Sequence, residues 1–198
     1  VYIRCVNKNC VAMEKENLYY FVSKKGFDIS GLGPKIIDAL YENVLIQDAA
    51  DLFNLKEGDL LPVERFAEKS SNFSKFIVSL SILHVGEETA QLLTKYTTNK
   101  LKIKNEKLKI KEFLKMFQNI NLEELQKIPN IGPKVSESIF NWFRDNYNIR
   151  FLEKLDTVGI EIILPKLKIA NGKFEGKTFV LTGGLLKMTR DEAKEKIR

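Results

Sequence analysis

The sequence predicts a mainly α-helical chain that turns into the start of an α/β unit near its C-terminal end. Three observations lead there. Between Asp28 and about Leu164, short amphipathic stretches alternate with tight turns built on Gly, Pro or Asn. Strand-like alternation is almost absent, Leu101–Lys104 being the one ambiguous run. Thr178–Thr182 is a short β-branched and apolar run that ends in Gly183-Gly184, and a helix signal follows it. The 198 residues suffice for one large domain or two small ones, and 44% hydrophobic with 29% charged residues is a globular balance.

In chain order, residues 1–16 are a short segment bearing Cys5 and Cys10. Leu18, Tyr19, Phe21 and Val22 then give a brief helix-like apolar face, and helical text occupies residues 17–164. Residues 165–177 read as a linker punctuated by Pro165, Asn171, Gly172 and Gly176. Residues 178–198 read as a buried strand, a glycine turn and a polar helix opened by Thr189, with Glu192 at capping-box spacing. The sequence opens on Val1 without Met and closes inside that helical pattern, which reads as a piece of a longer protein.

Scarcity excludes several chemistries. His84 is the one histidine, so a multi-histidine metal site is excluded. Two cysteines cannot build a disulfide framework, and the absence of a signal peptide points to a reducing cytosol. No apolar run approaches the roughly 18 residues of a membrane span. The net charge is +6, but the Lys95–Lys115 window alone carries eight Lys against Glu106 and Glu112. Bulk charge is therefore a local argument for an anionic partner. That window reads as a solvated surface or an auxiliary phosphate contact.

A repeated pattern says more. Gly31-Leu32-Gly33 precedes Pro34-Lys35, Asn130-Ile131-Gly132 precedes Pro133-Lys134, and His84-Val85-Gly86 precedes Glu87-Glu88. A weaker copy is Arg65-Phe66-Ala67, followed by Glu68-Lys69; it has lost both glycines and reads equally as a packing corner or a phosphate contact. In each, an apolar plug sits between two turn residues and a helix is predicted to begin directly after. Proline suits the first helical position, where no N–H is needed. The first-turn N–H groups lack partners and form a ready anion site. Lys35, Lys69 and Lys134, one turn into their helices, add charge. This is the helix-hairpin-helix pattern, in four copies, and it suits phosphate contacts that ignore base sequence. Glu87 and Glu88 oppose a phosphate at the third copy. His84 reads as a turn residue that caps or touches phosphate, and Trp142 as core.

In its order of modules the sequence resembles the C-terminal half of bacterial NAD-dependent DNA ligases. Cys5-Val6-Asn7-Lys8-Asn9-Cys10 resembles the second Cys pair of that family's four-Cys zinc finger. Phe27-Asp28-Ile29-Ser30-Gly31-Leu32-Gly33, Phe66-Ala67-Glu68-Lys69-Ser70, His84-Val85-Gly86-Glu87 and Ile131-Gly132-Pro133 resemble its four hairpins. Gly176–Gly183 and Met188–Ala193 resemble the first strand and helix of a BRCT domain. Val6, Arg65, Ala67 and Leu83 depart from the family's usual residues, and the Lys-rich stretch around 97–111 looks longer than its usual connection.

The resemblance implies an enzyme that moves AMP from NAD to a lysine, then to a 5′-phosphate, and seals the nick. The Lys-x-Asp-Gly motif of that chemistry does not occur here, so the resemblance implies no catalytic residue in this chain and no activity of the chain alone. NAD and magnesium would be bound elsewhere in the parent enzyme. Zinc would find only half a site, at Cys5 and Cys10. The implied DNA-binding set is Gly31, Gly33, Lys35, Lys69, His84, Gly86, Asn130, Gly132 and Lys134. The implied partner is nicked duplex DNA, the implied state a monomer in the bacterial cytoplasm. Two rivals stay open: a tandem-hairpin subunit of a repair nuclease or junction-binding protein, and an interaction scaffold that does not bind DNA.

Overall fold

Helix α1 (Val11–Val22) starts well before the Leu18 face that signals it in the sequence, and so runs into the segment assigned to the cysteine pair. The reason is tertiary. Lys15 lies 2.8 Å from Asp38 and 3.2 Å from Glu42 on the next helix, and the Tyr41 hydroxyl donates to Glu14 at 2.7 Å. In this computed structural model, residues 10–55, 69–101, 106–165, 180 and 193 are described.

Helix α2 (Pro34–Glu42) opens with Pro34 at its first position and buries Ile37 and Leu40. It ends at Asn43, with Val44 in the left-handed region at φ 58°. Val44 N–H donates to Tyr41 O and Leu45 N–H to Leu40 O, the closure normally built on glycine. A single 3-10 turn (Asp51–Asn54) follows, its start held by the Asp51 carboxylate, which accepts from Gln47 and Asp48 N–H.

Strand β1 (Ser70–Asn72) leads directly into α3 (Phe73–Ser79). Helix α3 buries Phe73, Phe76, Ile77, Val78 and Ser79, almost all round, as a central helix must. Then come α4 (Glu87–Leu101), β2 (Lys107–Lys109), α5 (Ile110–Asn119), α6 (Leu122–Gln126), α7 (Pro133–Trp142), α8 (Asn146–Thr157) and β3 (Glu161–Ile163). Asn121 and Glu124 form a capping box at α6, and Asp145 caps α8 by accepting from Tyr147 N–H.

The three short strands form one sheet in the order β1-β3-β2. β3 runs parallel to β1, with Ser71 opposite Ile162, and antiparallel to β2, with Leu108 opposite Ile162. The sequence reading missed all three strands. Three residues are too few to show alternation, and Ser70-Ser71-Asn72 has no strand propensity. Tertiary burial decides instead: Ile162 is completely inaccessible at the centre of the sheet.

Aromatic rings fasten the helices together. Phe73 and Phe76 on α3 meet Phe113 on α5 edge-on, and Phe143 after α7 stacks on Phe117 with centroids 4.3 Å apart. Phe21, Phe27 and Phe53 form a second cluster with Phe151 of α8. The described part of the chain is mainly α, as the sequence predicts.

The chain divides into two compact units, residues 1–165 and 166–198. The strand and helix expected at 178–182 and 189–198 lie outside the described residues except at two positions. Val180 is 80% exposed and outside any strand, where burial was expected, and Ala193 is helical and buried.

Candidate nucleic-acid interface

Three of the four repeats fall within the described residues, and their backbones agree. The first triad position is left-handed in each: Gly31 at φ 88°, His84 at 66° and Asn130 at 65°. Val85 N–H donates to Ile82 O at 3.0 Å, and Ile131 N–H to Ile128 O at 3.1 Å. A positive φ at the third of four residues is what a type II turn requires. Glycine meets it freely, and Asn and His meet it more readily than most other residues. His84 is exposed and serves the turn through its backbone.

Buried side chains pin each turn. The expected plugs, Leu32, Val85 and Ile131, are buried. So are Ile29, Ile82 and Ile128, three residues before them, and Ile37, Ala90 and Ser136, five residues after. The sequence reading overlooked those two positions, although an isoleucine recurring two residues before each left-handed position was the available signal. Ser136 is fully inaccessible and satisfies its hydroxyl on Gly132 O at 2.8 Å.

What stays outside the core is the outer edge of each turn. Gly31, Gly33, His84, Gly86, Asn130 and Gly132 are exposed, as are Lys35 and Lys134. Gly33 and Gly132 are the N-caps of α2 and α7, at φ −80° with ψ 169° and 174°. Any residue adopts those angles, and a Cβ on Gly33, Gly86 or Gly132 would meet no atom within 4 Å. The fold itself does not require glycine at these positions. Glycine there leaves the backbone open to approach. The N–H groups of Gly33, Lys35, Gly132 and Lys134 have no acceptor among the described residues. Each of these two helix starts thus presents unpartnered N–H groups, the positive end of the helix dipole and a lysine at the second helical position, which together favour an anion.

The third turn differs. Glu87 and Glu88 open α4, and Lys25 from the loop after α1 brings its Nζ to 3.2 Å from Glu87 Oε1. Lys75 on α3 is 3.1 Å from Asp28 in that same loop. The loop between α1 and the first turn therefore lies beside α3 and the start of α4.

The second repeat corrects the sequence reading. Arg65, Phe66 and Ala67 lie outside the described residues, but Lys69 does not begin a helix. Its carbonyl accepts from Glu161 N–H at 2.9 Å, and Ser70–Asn72 continue as a strand. Pairing with β3 competes with helix formation here and wins, so Lys69 does not sit one turn into a helix. Cys5 lies outside the described residues, and Cys10 is half-buried at the N-cap of α1. Trp142 is partly buried and packs edge-on against Phe143.

Comparison with known proteins fits this geometry. Residues 110–152 match the family described as the helix-hairpin-helix motif, which takes in α5 to α7 and the fourth turn. A DNA ligase of Syntrophus aciditrophicus is 37% identical over 97% of the chain. DNA ligases of Anoxybacillus flavithermus and Thermoanaerobacter pseudethanolicus are 34% and 35% identical over 100% and 96% of it. The chain belongs to the DNA ligase family. It spans 28%, 30% and 28% of the length of these three relatives, so most of a ligase of this family lies outside the matched region. Among the described residues no helix is long and apolar enough to cross a membrane, and no cluster of three metal-binding side chains occurs.

Proposed function

We propose that this chain is the duplex-gripping portion of a bacterial, cytoplasmic, NAD-dependent DNA ligase that seals nicks in replication and repair. The observation that carries the reading is the pair of matched helix starts at Gly33 and Gly132, glycines the fold does not need, with unpartnered N–H groups behind them. Two such turns hold two backbone phosphates without reading bases. Lys35 and Lys134 add direct charge, and Gly31, His84, Gly86 and Asn130 set the backbone that presents the amides. Lys69, though on a strand end, is exposed and available to a phosphate. The grip is thus on the duplex backbone around a nick, with the chain acting as a monomer.

The adenylation chemistry, with NAD and magnesium, belongs to parts of the enzyme outside this chain, which alone is inactive. Residues 1–16 contribute Cys5 and Cys10 as two of the four thiolates a structural zinc takes. Residues 17–164 carry the hairpins, 165–177 link them onward, and 178–198 begin a BRCT domain. Fluorescence anisotropy on nicked duplex at 50 and 200 mM salt tests the reading. Binding that weakens steeply with salt is expected. Salt-insensitive or absent binding would favour an interaction scaffold. Metal analysis giving one tightly held zinc per chain would refute the half-site.

A further inference from the structure

The first and fourth hairpins carry a lysine at the second helical position, Lys35 and Lys134. The third has Glu88 there, after Glu87. Those acids suit the helix dipole and oppose a phosphate. Yet the third turn keeps the left-handed His84, the buried plug Val85 and the open Gly86. We propose that Lys25, from the loop after α1, is the phosphate-binding cation of the third hairpin, and that Glu87 positions it. The inference rests on the duplex-binding reading above.

Three observations support this assignment. Lys25 Nζ lies 3.2 Å from Glu87 Oε1, with the two side chains 68% and 54% exposed. An ion pair this open contributes little to stability. An ammonium has three donors, so two remain for a phosphate after one goes to Glu87.

The backbone under Lys25 is also fixed. A Cβ on the next residue, Gly26, would lie 2.6 Å from the carbonyl oxygens of Tyr20 and Phe21, so only glycine fits there. Phe27 N–H donates to Phe21 O at 2.7 Å, and the two rings stack with centroids 5.2 Å apart. Finally, Lys75 on α3, the helix that enters the third turn, lies 3.1 Å from Asp28, which places the same loop beside that helix. A lysine on rigid backbone, aimed at the turn that lacks one, restores there the charge that Lys35 and Lys134 supply in their own hairpins.

The test uses the 198-residue chain and a nicked duplex, with affinity read by anisotropy from 50 to 200 mM salt. Lys25→Ala should weaken binding about fivefold and reduce the salt slope by about one phosphate, with an unchanged melting temperature. Lys24→Ala removes the same charge one residue away, at a side chain with no ion-pair partner among the described residues, and should do distinctly less. Equal effects at the two lysines would reduce Lys25 to bulk charge and overturn the proposal. Glu87→Gln should weaken binding about twofold although it removes a negative charge; tighter binding would mean that Glu87 only repels, and would overturn its role. If the unmodified chain shows no salt-dependent binding, the duplex reading itself has failed. If it binds and Gly132→Asp weakens it while Lys25 matches Lys24, only this inference has failed.

Discussion

Replacing Gly132 with aspartate should separate the stability of the fourth hairpin from its grip on DNA. Gly132 is the N-cap of α7 at φ −80°, ψ 174°, the extended conformation that an aspartate cap adopts, and a Cβ there meets nothing within 4 Å. An Asp carboxylate would accept from an N–H in the first turn of α7, where Lys134 N–H has no acceptor among the described residues. Aspartate outranks glycine as a cap by a few tenths of a kcal/mol, and its charge at the helix start adds about 0.3–1 kcal/mol. The variant should therefore melt at the same temperature or slightly higher. Binding should move the other way, because the carboxylate takes the donors a phosphate would use and adds a like charge. Losing a charge-assisted hydrogen bond costs about 1.5–3 kcal/mol, or roughly 10- to 150-fold in affinity. Thermal melts by circular dichroism and anisotropy on nicked duplex read the two effects separately. A variant that melts no lower and binds as the unmodified chain does would refute phosphate binding at this turn.

Other outcomes follow from the same geometry. Val44→Gly should stabilise the chain by about 1 kcal/mol, since an exposed β-branched residue at φ 58° fills a position suited to glycine; an unchanged or lower melting temperature would count against that strain. Arg144 donates to Phe140 O, Gln118 O and Ile120 O and lies over the Phe140 ring, so Arg144→Ala should cost about 1–3 kcal/mol, with Lys recovering only part in urea melts. The Lys15 ammonium, then the Tyr19 hydroxyl, hold the Asp38 carboxyl below its usual range. Its contribution is present above the ordinary carboxylate pKa and falls away as pH drops through the lowered value. Asp38→Asn should accordingly flatten the acid side of the stability profile, below the ordinary carboxylate pKa, and a profile identical to that of the unmodified chain would exclude the linkage.

The hairpin turns were legible because their physics is local. A left-handed residue, an apolar plug and a proline at the first helical position occupy adjacent positions, so Gly31–Pro34 and Asn130–Pro133 announce themselves in one dimension. The helical class was legible for the same reason, since amphipathic spacing is a property of a single segment. The early start of α1 was not, because Lys15 and Glu14 find Asp38, Glu42 and Tyr41 only after the chain has folded back. Nor was the strand at Ser70–Asn72, which exists because β3, some ninety residues later, supplies its partners.

By itself, then, the sequence determined where the chain turns and which residues plug those turns. Left-handed backbone, proline's missing N–H and apolar burial act within a few residues. Only the tertiary structure decided which turn atoms remain open. It showed that Gly33 and Gly132 are free of steric demand while Gly26 is not. It also brought Lys25 to the acidic turn at Glu87, across sixty-two positions of sequence. Accessibility and charge pairing depend on distances through space, and those are fixed by the packing of the aromatic core that holds the three described turns in place.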